Sequence, residues 1–182
     1  MTVTPPPADK NVSLSDWLED SLKIIRLKKA FTPHSEIGEI KHFVHGLTRS
    51  GGVGIKPNLV DTYLAISLLA ELNDLAGLEK TRDFVDRLQQ TSLGFRHTED
   101  SCTPPNIDTL HAGVFSSALL GLRVRHPADI VSAILTSQRM HGGFTRSPDS
   151  LGDLDTHFRA LSILQQLRNR PYGLSSQTRI SG

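Results

Sequence analysis

Apolar residues recur along most of this chain at the spacing of amphipathic helices. In the segment 59–72, Leu64, Leu68 and Leu72 lie on one helical face. Apolar positions at i, i+3, i+4 and i+7 are typical of a helix that buries one side. No segment has the strict alternation of apolar and polar residues that a half-buried strand requires, so we predict an all-α fold without strands. The other segments with the helical pattern are residues 13–29, 36–47, 79–90, 107–122, 128–138 and 154–167.

Three of these segments open with the same short phrase. Asp61-Thr62, Asp108-Thr109 and Asp155-Thr156 each follow an aliphatic residue and precede a helical pattern, and they are spaced 47 residues apart. An aspartate just before or at a helix start accepts hydrogen bonds from free backbone N–H groups and suits the positive end of the helix dipole. A fixed period of this length indicates a repeat architecture. In the second and third copies the apolar positions are Leu110, Val114 and Leu122, and Phe158, Leu161 and Leu164.

Short segments with one or two glycines lie upstream of each Asp-Thr pair, at residues 51–53, 94–95 and 142–144. In the second and third copies, a glutamine precedes the first glycine by four residues, namely Gln90 and Gln138. Glycine is expected where a helix gives way to a chain reversal with positive φ. The repeat unit is therefore predicted to be helix, glutamine, glycine turn, polar loop, Asp-Thr and a second helix. The leading helix, over residues 13–29, has Ser13 or Ser15 as its candidate N-cap.

Length and composition limit the alternatives. The 182 residues suit one domain, over 13–170, with a disordered tail at 1–12 and a loose tail at 171–182. Lys and Arg number 20 against 19 Asp and Glu, a balance that does not favour nucleic acid as a partner. No apolar segment is long enough for a membrane span. The one cysteine, Cys102, fits a reducing compartment, so we predict a cytoplasmic protein.

The repeat unit resembles the prenyltransferase and squalene oxidase repeat of protein prenyltransferase β subunits and class II terpene cyclases. Residues 132–164, which contain Gln138, Gly142-Gly143-Phe144 and Asp155-Thr156, fit it best, and the resemblance covers roughly residues 36–168. It implies an α/α toroid whose Asp-Thr helices line a central cavity and whose glutamine-ending helices wrap them. With about seven helices, this chain is expected to form an open or partial toroid.

The resemblance also suggests an acid site. Class II terpene cyclases protonate their substrates with a DxDD motif, and Asp153-Leu154-Asp155-Thr156 resembles a variant of it with Asp155 in the place of the acid. A buried carboxyl beside a second carboxylate has the raised pKa that such an acid requires. The alternative is that Asp155 is a helix start, because Asp-Thr occurs in all three copies. On that interpretation Asp153 is the only residue of the motif that the other two copies of the repeat do not share.

A zinc site is a second implication of the resemblance. Protein prenyltransferase β subunits bind zinc through an Asp-x-Cys and a histidine, but the positions matching that cysteine are Tyr63, Leu110 and His157. The usual ligand set is therefore not present. Asp155, His157 and His111 form a weak substitute set, since zinc accepts carboxylate and imidazole ligands.

Other residues of the Asp-Thr helices are candidates for substrate binding. Arg159 lies one turn into its helix, where it would meet a diphosphate at the cavity mouth or remain a solvated surface arginine. Tyr63, His111 and His157 are the other candidates. Three functions stay open: binding of an isoprenoid or other lipid in an apolar concavity, prenyl transfer or terpenoid cyclisation, and a scaffold for protein partners. A protein partner or self-association would close the toroid.

Overall fold

The structure is a computed structural model that describes residues 13–31, 37–48, 51–90, 94–140, 142–145 and 153–169. The predicted tails, at 1–12 and 171–182, lie outside these residues. Within the described residues the fold is all-α, with one two-stranded sheet of minimal length. The elements are α1 (Leu14–Phe31), α2 (Ile37–Thr48), α3 (Leu59–Glu71), α4 (Glu79–Arg87), β1 (Gln89–Gln90), β2 (Gly94–Phe95), α5 (Ile107–Leu119), α6 (Pro127–Thr136) and α7 (Leu154–Asn169).

Helices α1, α3, α5 and α7 pack side by side in this order, and we call them the helix row. Helices α2, α4 and α6 pack on α3, α5 and α7, respectively. Near their N-termini, α1 and α3 are joined by Ser15, which donates a hydrogen bond to Asp61, and near their C-termini by Arg26, which pairs with Glu71. Helices α1 and α3 therefore run in the same direction. The same arrangement continues to α7, because Arg159 in its second turn reaches the first turn of α5.

In the three repeats, side chains cap the helices of the row two or three positions before the Asp-Thr pair. The Asn58 side chain accepts from the Asp61 N–H at 2.9 Å, and the Asn106 side chain accepts from the Thr109 N–H at 2.8 Å. In α1, Ser13 accepts from the Asp16 N–H, which confirms Ser13 as the predicted cap. Each capping oxygen satisfies an N–H that the helix leaves without a partner.

The aspartates of the Asp-Thr pairs are therefore not the caps, which corrects the predicted role. In α7 the Asp153 carboxylate accepts from the Thr156 N–H at 2.6 Å, so Asp153 is the cap and Asp155 lies within the first turn. Asp108 has the equivalent place in α5 after Asn106. These first-turn carboxylates still lie at the favourable end of the helix dipole.

The glycine signature forms small hairpins, where no strand was predicted. Gln89 pairs with Phe95 across β1 and β2, and Gln138 forms an isolated bridge with Phe144 in the next repeat. Strands of two residues are too short to carry an alternating pattern. Gly94, the first residue of β2, has φ +82°, a value that glycine adopts readily. The structure therefore aligns Gln89, and not the predicted Gln90, with Gln138.

Gln89 is buried and ties its hairpin to the segment after α5. Its amide group donates to the Arg123 carbonyl at 3.1 Å, and its carbonyl oxygen accepts from the Arg125 N–H at 2.9 Å. The following Phe95 is fully buried against α5, where a Cβ at Gly113 would lie 2.3 Å from the ring. Gly113 thus lets the hairpin pack closely on the helix row.

Buried apolar side chains form two clusters. One lies between α1, α2 and α3 and includes Leu18, Val44 and Leu68. The other surrounds α5 and includes Leu110 and Ile163. Among the described residues, no helix combines the length and the apolar content needed to cross a bilayer.

The apolar positions predicted for α7 are only partly buried in the structure. Ala160, Ile163 and Leu167 face the core, whereas Phe158 and Leu161 are exposed. Periodicity located a helix correctly, but α7 packs on α5 and α6 through the small and β-branched residues beside that stripe. The large side chains at Phe158 and Leu161 therefore point away from the core.

Candidate ligand-binding concavity

All four helices of the row contribute to one concavity of about 500 Å³. A volume of this size is within the usual range for small-molecule sites. The N-termini of the helices lie at one rim, which we call the N-terminal rim, and their C-terminal halves lie at the other. The apolar part of the lining consists of Leu22, Val60, Tyr63, Leu64, Ala70, Ala112, Phe115, Leu119 and Phe158.

Three rings pack together in the wall formed by α3 and α5. His111 stacks on Phe115 one turn later, with ring centroids 4.4 Å apart and planes 27° from parallel. The Tyr63 ring meets His111 edge-on at 5.3 Å and Phe115 at 6.4 Å. Both distances are within the range of favourable aromatic pairs. This aromatic cluster forms one wall of the concavity.

Polar atoms remain available in this wall. Neither the Tyr63 hydroxyl nor the His111 imidazole makes a hydrogen bond to another described residue, and both side chains are half-buried. Hydrogen-bonding groups in a partly desolvated site normally have partners. Tyr63 and His111 therefore offer polar atoms to a ligand in the concavity.

Arg159 lies at the N-terminal rim and joins two helices of the row. Its guanidinium contacts the Asp108 carboxylate and the Asp155 carboxylate, each at 2.8 Å. The contact with Asp155 is an i,i+4 pair within α7, whereas the contact with Asp108 crosses to α5. The three groups carry a net formal charge of −1. The guanidinium that could have met a diphosphate is therefore paired with two carboxylates of the protein.

The pKa of His111 is lowered to about 4. Burial is the main cause, because it removes water from the imidazolium, and the positive Arg159 adds to the effect. The Asp155 carboxylate opposes the shift. His111 is consequently a neutral imidazole near pH 7, with one nitrogen that donates and one that accepts.

The far side of the concavity also carries paired charges. Arg26 of α1 contacts Glu71 of α3 at 3.0 Å, and Lys23 contacts Glu19 at 3.0 Å. Counted together with Arg159, Asp108 and Asp155, the lining has three cationic and four anionic side chains. Every cation in this part of the structure contacts a carboxylate.

Asp155 lacks the environment that a proton donor would need. Its side chain is 54% exposed and pairs with Arg159, whereas the hypothesis requires a buried carboxyl beside a second carboxylate. Asp153 is exposed, caps α7 and does not line the concavity. The Asp153-Leu154-Asp155 run is thus a helix start with one carboxylate turned towards the row.

The weak zinc set is not brought together. His157 lies outside the concavity, where its Nδ1 is 2.6 Å from the Asp153 carbonyl oxygen and its ring packs edge-on against Phe144. His111 lies within the aromatic wall instead. In the described part of the chain, no group of three His, Cys, Asp or Glu side chains is placed to hold a metal ion.

Of the predicted substrate-binding residues, Tyr63, His111 and Arg159 line the concavity and His157 does not. Sequence reasoning missed Phe115 and Asp108 as members of the site. Phe115 follows His111 by four residues, so its place on the same helical face could have been recognised from the spacing. The contact between Asp108 and Arg159 depends on how α5 and α7 pack, which spacing does not specify.

The chain matches no protein-family model, and comparison with curated proteins finds no similar sequence.

Proposed function

We propose that this chain is a prenyltransferase- and terpenoid-cyclase-like repeat domain that binds an isoprenoid, or a lipid of similar shape, in the concavity of the helix row. The observation that carries the proposal is the concavity itself, which combines about 500 Å³ with an aromatic wall of Tyr63, His111 and Phe115. Burial of an apolar chain against such a wall is favourable by roughly 25 cal/mol for each Å² removed from water.

The arrangement of the helices supports the same proposal at the level of the fold. Four helices form a row with their N-termini at one rim, and the intervening helices pack behind them. We propose that this arrangement is an arc of an α/α toroid in which the row is the inner layer. The proposed role is binding, because Asp155, the candidate acid, is exposed and paired with Arg159.

Native mass spectrometry with farnesene, farnesol and farnesyl diphosphate tests the binding proposal. We expect a one-to-one complex with at least one of these probes. Ser162→Trp, which fills the concavity from α7, should weaken that complex about tenfold or more. Gln165→Trp, on an exposed position of the same helix, should leave it unchanged. The proposal is wrong if none of the three probes binds, or if both variants behave like the wild type.

A second candidate function is self-association through the edge of α7 that the other described helices leave exposed. Leu154, Phe158 and Leu161 are 87%, 66% and 58% exposed and lie at i, i+4 and i+7, so they form one apolar stripe. Exposed apolar patches of this kind mark interaction surfaces. The described residues do not cover the stripe, which lies on the helix of the third copy of the repeat.

A second copy of the chain is the occupant that the charges favour. The other end of the row, α1, exposes Asp16, Glu19, Asp20 and Lys23, and Lys23 forms ion pairs with both Glu19 and Asp20. Contact between this charged edge and the α7 stripe would desolvate those ions at a cost. Contact between two α7 stripes would bury apolar surface on both sides, as in an interface with twofold symmetry.

A further inference from the structure

The polar part of the proposed ligand can be inferred from the hydrogen-bonding groups of the aromatic wall. Tyr63 on α3 and His111 on α5 lie side by side, with ring centroids 5.3 Å apart, and both line the concavity. Neither polar group has a hydrogen-bond partner among the described residues. Two neighbouring groups without partners in one wall form a place where a single polar atom of a ligand would be bound.

The chemistry of the two side chains matches an uncharged group. A neutral imidazole offers one donor and one acceptor, and a phenol offers a donor and an acceptor. A hydroxyl also donates one hydrogen bond and accepts others, so it would bond to either nitrogen of the imidazole and to the phenol. A diphosphate mainly accepts hydrogen bonds, so it would use only the N–H and O–H donors of these side chains.

The charges of the lining are also unfavourable for a diphosphate. Arg159 already contacts Asp108 and Asp155 at 2.8 Å each, and on the far side Arg26 contacts Glu71. An incoming diphosphate would have to displace a carboxylate from one of these cations while remaining close to it. Like charges at such distances repel strongly where water is partly excluded.

We propose that the concavity selects an uncharged isoprenoid-like alcohol, whose hydroxyl lies between Tyr63 and His111, over the corresponding diphosphate ester. This inference rests on the proposed binding function and adds the polar group that the site recognises. Apolar contact with Phe115 and the neighbouring side chains would hold the chain, and the two polar residues would fix its orientation.

Comparison of dissociation constants for farnesol, farnesene and farnesyl diphosphate tests this selection. The wild type should bind farnesol about tenfold or more tightly than either of the other two probes. Tyr63→Phe removes only one hydroxyl, and it should weaken farnesol about three- to tenfold while leaving farnesene unchanged, as expected for the loss of one hydrogen bond. His111→Phe should have the same effect. His157→Phe is the matched control, because His157 lies outside the concavity.

The outcomes separate this inference from the proposed function on which it rests. If farnesyl diphosphate binds more tightly than farnesol, or if farnesol and farnesene bind equally, the selection for an alcohol is wrong but the binding function stands. If no probe binds, the binding function itself fails. Because Tyr63→Phe keeps the ring and its packing, a folded Tyr63→Phe protein with unchanged farnesol affinity would also overturn the inference.

Discussion

His111 is a histidine whose surroundings disfavour its charged form. It is half-buried, stacked on Phe115 and close to Arg159. Its pKa in the folded chain is lowered to about 4, below the ordinary value of 6.5. Between these two values the unfolded chain binds one proton more than the folded chain at this residue. The contribution of His111 to the free energy of unfolding is therefore complete above about pH 6.5 and is lost as the pH falls towards 4.

This difference predicts a specific effect of acid on stability. On going from pH 7 to pH 4.5, the wild type should lose about 2 to 3 kcal/mol more of its free energy of unfolding than His111→Gln does. Urea unfolding of both proteins at the two pH values measures this quantity. His42→Gln, at an exposed histidine of α2, is the control and should lose as much as the wild type. Equal losses for wild type and His111→Gln would contradict the assigned cause.

At the scale of single residues, the sequence predicted a helix cap correctly where a hydroxyl side chain stood just before the helical pattern. Ser13 was one of two predicted caps of α1 because a hydroxyl precedes a helical pattern, and it is the cap. The roles of Asp153 and Asp155 could not be separated in the same way. Both suit the first turn of a helix, and the cap is the one whose backbone remains outside the helix. That depends on where the preceding loop delivers the chain, which two neighbouring aspartates do not reveal.

Among the elements, the hairpin formed by β1 and β2 depends on Gln89. The Gln89 side chain is buried and bonds to the main chain at Arg123 and Arg125. Gln89→Ala should lower the free energy of unfolding by about 1 to 3 kcal/mol, because it removes the two hydrogen bonds that join this buried side chain to the main chain. Chemical denaturation measures the change. Gln90→Ala, at the neighbouring half-buried position, should cost less than half as much, and the reverse order would contradict the structural alignment of the repeats.

Helices and turns differed in how much the sequence could predict. Each segment with a helical pattern forms a helix, because the pattern extends over several turns and each turn adds to it. The strands at Gln89–Gln90 and Gly94–Phe95 have two residues each and therefore no period to detect. For the same reason, counting residues from glutamine to glycine aligned Gln90 with Gln138, whereas the structure aligns Gln89 with it. The side of α7 that faces the core could not be predicted either, since Phe158 and Leu161 are more apolar than the Ala160 that is buried in their place.

For the whole molecule, the exposed stripe on α7 predicts a concentration-dependent dimer. The stripe belongs to one helix, so the interface would be smaller than that of a stable complex and the dimer weak. Sedimentation velocity over a concentration series should show reversible association of the wild type. The double variant Leu154→Glu, Leu161→Glu should remain monomeric because it places charges in the interface. Leu135→Glu, at an exposed leucine of α6, should associate like the wild type.

If all three proteins remain monomeric, or if Leu135→Glu abolishes association as fully as the double variant, the α7 stripe is not the interface. The sequence predicted an incomplete toroid from a count of about seven helices, but it did not predict which edge of the toroid would be exposed. Which edge is left open depends on the packing of α1 and α7. The charges on α1 bear on this choice because α1 is the described helix at the other end of the row.

The side-by-side arrangement of the helix row also has a consequence for how the chain opens. Among the described helices, α3 and α5 have a neighbour in the row on each side, whereas α1 and α7 each have one on a single side. In proteins whose repeats contact only adjacent repeats, local unfolding starts at the ends and spreads inwards. Amide hydrogens in α5 should therefore exchange with solvent more slowly than those in α7, and the wall of Tyr63, His111 and Phe115 belongs to the part of the molecule that opens last.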